Sequence, residues 1–385
     1  MRQHAANKYE EVFLMKKDYK VFIINPGSTS TKIALFEGDN RIFQENLDHD
    51  VEVLKGFKEI SDQLPFRMEA IRKSLKDNCI SLEGIDAFAA RSGGLVSVEG
   101  GVYAANEKLL EHTRACFTAK HPNTLGPQIA AELRKEYGGQ IFCVNPPDVD
   151  ELDDVERVCG FHELSRQGKG HTLNQKENCI RYAASQGKKY EEMNLICCHI
   201  GGGVSIAAHR QGKFFCVNDA VNGDGPMAPT RSGWLPAVDL VKMCFSGLYT
   251  ERELYDRITK TGGLSDHLGT TDVREIVSRI NSGDRYAKLI YEAFIYQIAK
   301  AVGGCAAALK GKVDAIILTG GIAHDQYLVS QLTAYVSWIA PISVQAGEFE
   351  MEALAAGAIR VLCGEEQLKV YTGIPIWHNF DSYKN

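Results

Sequence analysis

The chain has 385 residues, and 43 basic against 49 acidic side chains give it a formal net charge of −6. This balance leaves no excess of positive charge for a phosphate backbone, so general nucleic-acid binding is not expected. A hydrophobic fraction of 44% and a charged fraction of 24% are typical of a folded globular protein. They exclude a disordered or membrane-embedded chain.

The eleven cysteines are scattered, with no C-x-x-C pair, which predicts free buried thiols rather than disulfides or a zinc site. Residues 1–10 are polar and charged, so no secretory signal is predicted. The longest apolar segment, Ala287–Leu309, carries three charged residues and is predicted to be a core helix, not a membrane span. We therefore expect a cytoplasmic protein without a membrane partner. The sequence does not decide whether it starts at Met1 or Met15.

The first predicted elements are a strand, a polar glycine loop and a hairpin. The apolar run Val21–Asn25 leads into the loop Pro26–Lys32, and the strand Ile33–Phe36 follows. A turn at Gly38 then precedes a third strand, Arg41–Phe43. Glycine and small polar residues between short apolar runs are typical of this arrangement.

The middle of the chain alternates strand and helix patterns. The runs Asp86–Ala90 and Ile141–Val144 predict buried strands, and Leu125–Tyr137 has helical spacing. The acidic segment Asp148–Val158 also predicts a helix, because Pro146 and Pro147 stand where prolines can start one.

The second half repeats the layout of the first. A strand, a glycine loop and two further strands are predicted at Leu195–His199, Ile200–Ser205, Ile206–His209 and Lys213–Val217. An offset of 173 residues superimposes Ile33-Ala34 on Ile206-Ala207. The long helix Ala287–Leu309 and the strand Val313–Thr319 follow. We predict an α/β protein with a duplicated domain.

Three small-residue loops follow predicted strands, at Asn25–Lys32, Gly201–Ser205 and Thr319–Ile322. Each loop alone indicates a plain turn, but three of them, two related by the repeat, favour phosphate binding. None matches a P-loop or a dinucleotide fingerprint. Arg91 and Arg231, each beside glycines, suit recognition of carboxylate or phosphate, although either alone would be read as a surface ion pair.

Together these segments resemble the acetate and butyrate kinase family, which belongs to the superfamily of sugar kinases, actin and heat-shock chaperones. The resemblance runs from about Lys20 to about Glu366. It rests on these segments: Ile24–Lys32, His171–Lys176, His199–Gly203, Asn222–Pro226, Pro229–Gly233, Leu318–Ala323 and Glu350–Ala355. Three of them, Asn25–Lys32, His171–Lys176 and Asn222–Pro226, look specifically like butyrate kinases.

The resemblance implies two actin-like ATPase domains of ribonuclease H-like fold around a central cleft. We expect the first domain over residues 19–150 together with 365–385, and the second, nucleotide-binding domain over 151–364. The resemblance further implies ATP and Mg²⁺ as cofactors and at least a dimer.

The same resemblance assigns roles residue by residue. The implied catalytic residues are Arg91, Asn145, His171 and Arg231, with the two arginines on the carboxylate and the phosphoryl group. The implied nucleotide-binding residues are Asn25, Ser28, Ser30, Lys32, His199, Gly201, Gly202, Gly203, Asp272, Arg274, Gly320, Gly321 and Ile322. Asn25 and Glu350 are the implied ligands of Mg²⁺. The purely structural alternative for Asp272 is that it lies at a helix start capped by Thr271.

The implied activity is reversible ATP-dependent phosphorylation of a short-chain carboxylate, with butyrate as the expected substrate. A branched-chain or propionate kinase is the alternative acyl specificity, and a nucleotide-switched protein like actin or a chaperone is the alternative class. The arginine pair favours the kinase, because a chaperone-type ATPase needs no group that binds a carboxylate.

Two positions depart from the family pattern. Where relatives carry an aspartate that orients the metal, this chain has Asn145. Either the Asn145 carbonyl oxygen binds the metal while Glu350 supplies the charge, or Asp148 or Asp150 supplies the charge. The remaining alternative is a slow enzyme. Where relatives carry a phenylalanine before the histidine, this chain has Gly170. The missing ring predicts room for a longer acyl chain, unless the loop Gly168–Gly170 fills the space.

Overall fold

The computed structural model describes residues 18–384, so the choice between Met1 and Met15 concerns residues outside that range. In chain order the strands are β1 (Lys20–Pro26), β2 (Ser30–Glu37), β3 (Asn40–Asp48), β4 (Ala87–Ala90), β5 (Val102–Ala104), β6 (Gln140–Val144), β7 (Asn194–Ile200), β8 (Val204–Arg210), β9 (Lys213–Val217), β10 (Ala315–Gly320), β11 (Ile342–Ala346) and β12 (Lys369–Val370).

The helices are α1 (Val51–Lys55), α2 (Leu64–Asp77), α3 (Glu107–Arg114), α4 (Leu125–Tyr137), α5 (Asp154–Arg157), α6 (Thr172–Ser185), α7 (Ala237–Cys244), α8 (Glu251–Thr259), α9 (Leu264–Leu268), α10 (Val273–Asn281), α11 (Arg285–Ala308), α12 (Gln326–Val336) and α13 (Glu350–Leu362). Short 3₁₀ turns lie at Ile60–Gln63, Pro122–Thr124, Tyr190–Glu192, Gly321–His324 and Asp381–Tyr383.

The chain divides into two compact units. One consists of the residues up to Asp148 together with those from Glu350 onward, and the other is Val149–Phe349. The predicted boundaries differ mainly over residues 350–364, which the sequence placed in the second domain. In the structure α13 belongs to the first unit, because it packs on β1, β4 and β6 of that unit. A Cβ atom on Gly357 of α13 would lie 2.4 Å from the side chain of Val144.

The two sheets repeat one strand order, which confirms the predicted duplication. The first sheet runs β3-β2-β1-β4-β6 and is extended by β5 and β12; the second runs β9-β8-β7-β10-β11. In both, the first three strands form an antiparallel meander, and the next two are added in parallel. The loops after β1 and β7 therefore occupy equivalent places, at the carboxyl end of a central strand.

The core of the first unit lies between its sheet and two helices. Phe22, Ile24 and Phe88 are buried against Ile71 of α2 and Ile129 of α4. Helix α4 matches the predicted helix Leu125–Tyr137 end to end.

In the second unit, helices cover both faces of the sheet. The buried stripe of α11, including Phe294 and Ile298, packs with Ile196 and Cys198 of β7, and the alternate residue Cys197 packs with Cys179 of α6. The prediction of a core helix at Ala287–Leu309 is thus confirmed. No helix within residues 18–384 is both long and apolar enough to cross a bilayer. All eleven cysteines lie in that range, and all are free thiols.

The helix predicted over Asp148–Val158 is wrong, because only Asp154–Arg157 is helical. Asp148 is held in a loop, since its main-chain oxygen and its carboxylate accept hydrogen bonds from the main-chain nitrogens of Val98 and Leu95. Asp150 is also held outside a helix, by a two-pronged ion pair with the buried Arg157 at 2.7 and 2.9 Å. These tertiary contacts outweigh the local helix signal of the acidic residues and prolines.

Candidate functional site

The loop after β1 places the first group of predicted residues. Asn25 and Lys32 are paired across the β1–β2 hairpin, and the main-chain nitrogen of Gly27 donates to the oxygen of Ser30 at 2.8 Å, which closes the loop. The side chain of Asn25 is buried, whereas Ser28 and Lys32 are exposed at the loop surface. Exposed hydroxyl and ammonium groups beside a tight turn are suited to holding phosphate oxygens.

Arg91 follows β4, next to β1, and its main-chain nitrogen donates a hydrogen bond to the main-chain oxygen of Ile24 at 2.8 Å. A Cβ atom on Gly126 would lie 2.1 Å from the Arg91 oxygen, so only glycine lets α4 approach this strand end. The Nη1 atom of Arg91 is buried and has no hydrogen-bond acceptor among the described residues. A buried guanidinium donor without an acceptor is costly, unless an anionic ligand completes it.

Glu350 begins α13 and lies beside both residues. The Asn25 Nδ2 atom donates to Glu350 Oε2 at 2.9 Å, and Arg91 Nη2 is 3.8 Å from Glu350 Oε1. The predicted residues Asn25, Arg91 and Glu350 are thus brought together within the first unit. One carboxylate and one amide oxygen fit Mg²⁺, which takes oxygen ligands and commonly binds through few protein groups together with substrate phosphates.

Asn145 follows β6 and serves a local structural purpose. Its Oδ1 atom accepts a hydrogen bond from the nitrogen of Gly101 at 2.8 Å, and its own nitrogen donates to the oxygen of Gly101 at 2.9 Å. Its φ of +39° lies in the left-handed region, which asparagine tolerates better than most residues. Of the two aspartates considered as replacements for its charge, Asp150 is paired with Arg157 through both oxygens, and Asp148 accepts from Leu95 through Oδ1, while its buried Oδ2 has no hydrogen bond among the described residues.

His171, Gly203 and Arg231 are brought together in the second unit. His171 precedes α6, and its ring stacks on that of His199, with centroids 3.8 Å apart and an interplanar angle of 9°. A Cβ atom on Gly203 would lie 2.0 Å from Arg231 Nη1 and 3.1 Å from His171 Cε1. The glycine at 203 is therefore what allows these two side chains to meet at the β7–β8 turn.

Arg231 is held by a tight loop. Its oxygen accepts a hydrogen bond from the nitrogen of Ala228, and a Cβ atom on Gly263 would lie 1.7 Å from the Ala228 oxygen. Burial lowers the pKa of Arg231, and the nearby Asp219 opposes the shift. The buried Nε atom of Arg231 has no acceptor among the described residues. Both arginines singled out in the sequence therefore carry a buried donor without an acceptor.

The predicted adenosine residues lie at two other places in the second unit. Gly320 ends β10 with a φ of +91°, and a Cβ atom there would lie 2.4 Å from the Ile200 oxygen, so Gly320, Gly321 and Ile322 turn close against the end of β7. Asp272, rather than Thr271, caps α10, because its side chain accepts from the nitrogen of Arg274. Arg274 also binds the Asp272 carboxylate, and these hydrogen bonds lower the pKa of Asp272 to about 2.

Sequence reasoning missed Ser205 and Asn174, which contact the two stacked histidines, and Gln175, which donates a hydrogen bond to Ser205. The repeat could have indicated Ser205, because the offset of 173 residues that relates the two halves superimposes it on Lys32. Both Asn174 and Gln175 stand in the motif His171–Lys176, but an asparagine and a glutamine on a predicted helix give no signal of what they bind.

Comparisons with known proteins show the family of this chain. The profile described as the Acetokinase family matches residues 162–340. Two curated relatives are a probable butyrate kinase of Clostridium botulinum, 48% identical, and a butyrate kinase of Clostridium acetobutylicum, 44% identical; each alignment covers 92% of this chain and 99% of the relative. The solved acetate kinase of Porphyromonas gingivalis is 22% identical and has a TM-score of 0.73 over 89% of this chain and all of its own. This likeness shows the same duplicated α/β fold.

Proposed function

The chain belongs to the acetokinase family, and from that premise we propose that it catalyses the reversible reaction of ATP with butyrate to give butyryl phosphate and ADP. The near-complete alignment with relatives named butyrate kinases supports this substrate. The fold likeness to an acetate kinase supports the same class of reaction.

The observation that carries the proposal is the pair of buried arginine donors without acceptors, Arg91 Nη1 and Arg231 Nε, among the described residues. Phosphoryl transfer to a carboxylate brings two anions together, so the transition state needs positive charge around the group in flight. Arginine suits this task, because it stays charged and its planar fork matches carboxylate and phosphate oxygens. We assign Arg91 and Arg231 to the carboxylate and the phosphoryl group.

The remaining roles follow from chemistry. A carboxylate is already ionised at neutral pH, so no general base is required. His171 would donate a hydrogen bond to the transferring phosphoryl group, and the loops at Asn25–Lys32 and His199–Gly203 would hold the phosphates through main-chain nitrogens and side chains. Asn25 and Glu350 would hold Mg²⁺, which neutralises phosphate charge when bound.

Three further assignments belong to this proposal. Gly320, Gly321 and Ile322 form the turn against which adenosine would lie, with Asp272 and Arg274 beside it. Free thiols at all eleven cysteines fit a reducing cytoplasm. We also propose that the protein forms at least a dimer, because α7 buries none of its residues and exposes Val238 and Val241, and Phe245, directly after the helix, continues the same helical spacing.

Trapping of the acyl phosphate with hydroxylamine tests the function directly. The protein is incubated with ATP, Mg²⁺ and a series from acetate to pentanoate, including propionate and the branched C4–C5 acids, and hydroxamate formation is measured. We expect butyrate to give the highest kcat/KM. A higher kcat/KM for propionate or a branched acid would reassign the acyl specificity, and no hydroxamate from any acid would contradict a carboxylate kinase.

A further inference from the structure

A chain of buried hydrogen bonds runs from His171 into the core of the second unit. It passes through Ser205, Gln175 and His209 and ends at Tyr190, and all four of these residues are buried. Because each group can donate or accept only a limited number of hydrogen bonds, the direction of every bond in this chain can be deduced.

The assignment of the hydrogen-bond directions starts from Gln175. Its Nε2 atom lies 2.8 Å from the main-chain oxygen of Ser205, which only accepts, so this atom must be the amide nitrogen. Its second proton then points to Ser205 Oγ, 2.7 Å away. The opposite atom, Oε1, accepts from His209 Nε2 at 3.2 Å. The orientation of this amide group is therefore determined by its surroundings.

The next step concerns the hydroxyl of Ser205. Its oxygen accepts from Gln175 Nε2 and also from the main-chain nitrogen of His171 at 3.2 Å, which uses both acceptor positions. Its own proton is left for the third neighbour, His171 Nδ1, at 2.8 Å. His171 Nδ1 is then an acceptor, and the proton of the neutral imidazole lies on Nε2.

The far end of the chain agrees with this direction. Since His209 donates from Nε2, its Nδ1 accepts from the hydroxyl of Tyr190 at 2.6 Å. Burial lowers the pKa of His209 to about 3; the cation of Lys176 acts in the same sense, and Glu151 opposes it. A neutral His209 with one donor and one acceptor nitrogen is what the chain requires.

The tautomer of His199, whose ring stacks on that of His171, is set by Asn174, the residue before Gln175. Asn174 Oδ1 accepts from the main-chain nitrogen of Phe349 and from Asn178 Nδ2, both at 3.1 Å, so its Nδ2 is the donor to His199 Nδ1 at 2.9 Å. Consecutive residues of α6 thus set both stacked rings with Nδ1 as acceptor. Two neutral rings can stack at 3.8 Å without the repulsion between two imidazolium ions.

We propose that Gln175 and Ser205 are positioning residues that hold His171 as the neutral tautomer protonated at Nε2, and that Asn174 does the same for His199. The inference deepens the proposed function and rests on it for its catalytic meaning. A hydrogen-bond donor at Nε2, aimed by Ser205, stabilises the charge of the transferring phosphoryl group without reorganising during the reaction. This also gives a role to the polar residues of the motif His171–Lys176.

The tautomer can be measured without any activity assay. Protein labelled with ¹⁵N-histidine is examined by ¹H–¹⁵N correlation spectra of the imidazole rings, and loss of one ring signal in His171→Gln assigns His171. We expect wild-type His171 to be the neutral Nε2–H tautomer at pH 7.5 and Ser205→Ala to give a mixture of tautomers. In Gln175→Met, which removes the amide donor, Ser205 Oγ regains a free acceptor position, so His171 should also populate the tautomer protonated at Nδ1.

Kinetics give the second readout. We expect Ser205→Ala to lower kcat at least tenfold while both KM values stay within twofold, and Ser205→Thr, which keeps the hydroxyl, to recover most of the rate. Thr113→Val is the matched control, because it removes a buried hydroxyl, bonded to the oxygen of Leu110, in the other unit. Its kcat should stay within twofold of wild type.

An Nδ1–H tautomer in the wild type, or an unchanged tautomer in both variants, would overturn the inference; if Ser205→Ala does not fold, the wild-type spectrum alone decides. Failure of the proposed function is recognised separately. A protein that forms no acyl phosphate but shows the expected tautomers would keep this inference and lose the kinase assignment.

Discussion

At the scale of single residues, the proposed site contains buried donors that have no acceptors within residues 18–384. Arg91 Nη1 and Arg231 Nε are two such atoms among the described residues. Leaving a buried polar group unpaired typically costs about 1–3 kcal/mol. A bound anion would recover that free energy, which supports the proposed roles of the two arginines.

The first prediction concerns these two arginines. Arg91→Ala and Arg231→Ala should each lower kcat/KM for butyrate by about 10²-fold or more, because each removes charge stabilisation from the transition state. Lysine should recover only part of the loss, since it cannot form a two-pronged contact. Arg72→Ala is the control, because Arg72 is ion-paired with Glu136 on the surface, and its rate should change less than twofold. Normal kcat/KM for both site variants would refute the carboxylate-kinase proposal.

The second prediction concerns Asn145, which stands where relatives are expected to carry aspartate. An aspartate can accept the same hydrogen bond from Gly101, so Asn145→Asp should fold normally. We expect kcat and its Mg²⁺ dependence to change less than tenfold, because Glu350 already supplies a carboxylate beside Asn25. A gain of tenfold or more, roughly 1.4 kcal/mol of barrier, would mean that the natural site is impaired.

The third prediction concerns the stability contributed by Asp148. Burial raises its pKa to about 7 from 3.8, although the Leu95 nitrogen and the charge of Arg91 oppose the shift. Because the folded protein then binds more protons than the unfolded chain between pH 4 and 7, stability should fall as pH rises through that window. In thermal melts between pH 5 and 7.5, the Tm of the wild type should therefore decrease more than the Tm of Asp148→Asn. Parallel pH dependence of the two would contradict a raised pKa.

At the scale of elements, close packing decides what the loop before α6 can accommodate. A Cβ atom on Gly170 would lie 2.6 Å from the ring of Phe214 and 3.1 Å from Val217 Cγ2. Phe214 and Val217 are buried with Leu152 in one cluster. The side chain missing at position 170 therefore leaves no gap beside its own Cα atom, and the butyrate preference rests on the relatives rather than on this glycine.

The fourth prediction follows from that packing. Gly170→Ala should destabilise the protein by about 1–3 kcal/mol, because the new methyl group must displace the Phe214 ring. Gly303→Ala in α11 is the matched control, because nothing lies within 4 Å of its Cβ position, and there alanine should stabilise the helix by a few tenths to 1 kcal/mol. Chemical denaturation measures both. An unchanged free energy of unfolding for Gly170→Ala would show that the loop is loosely packed.

At the scale of the whole molecule, the exposed face of α7 is the surface on which the proposed dimer rests. Phe245, Leu248 and Val238 are 87%, 78% and 69% exposed. Several large apolar side chains exposed close together in the sequence are typical of a protein–protein contact. Trp234 and Leu235, just before α7 in the sequence, are also exposed large apolar residues.

The fifth prediction tests this surface. If the wild type is the proposed dimer, Phe245→Glu combined with Val238→Glu should give a monomer in light scattering after size exclusion, because burying two carboxylates in an apolar interface is strongly unfavourable. Phe117→Glu, an exposed phenylalanine of the other unit, should leave the oligomeric state unchanged. A double variant that remains dimeric would assign the interface to another face.

Sequence periodicity by itself predicted nine of the twelve described strands, the helices Leu125–Tyr137 and Ala287–Leu309, and the duplication, but not β5, β11, β12 or α2. The hairpin Val21–Phe36 and the helix Leu125–Tyr137 were predictable, because each has a period that only one secondary structure can bury. The neighbouring glycines likewise indicated Arg91 and Arg231, and the family resemblance added His171.

Only the tertiary structure decided the rest, because contacts between residues distant in sequence outweigh local propensity. The acidic segment after Pro147 is a loop, since Leu95 and Val98 bind Asp148. Helix α13 joins the first unit, since its glycine fits against Val144. The role of Gln175 depends on which partners surround its two amide atoms, and no spacing along the chain encodes the direction of a hydrogen bond.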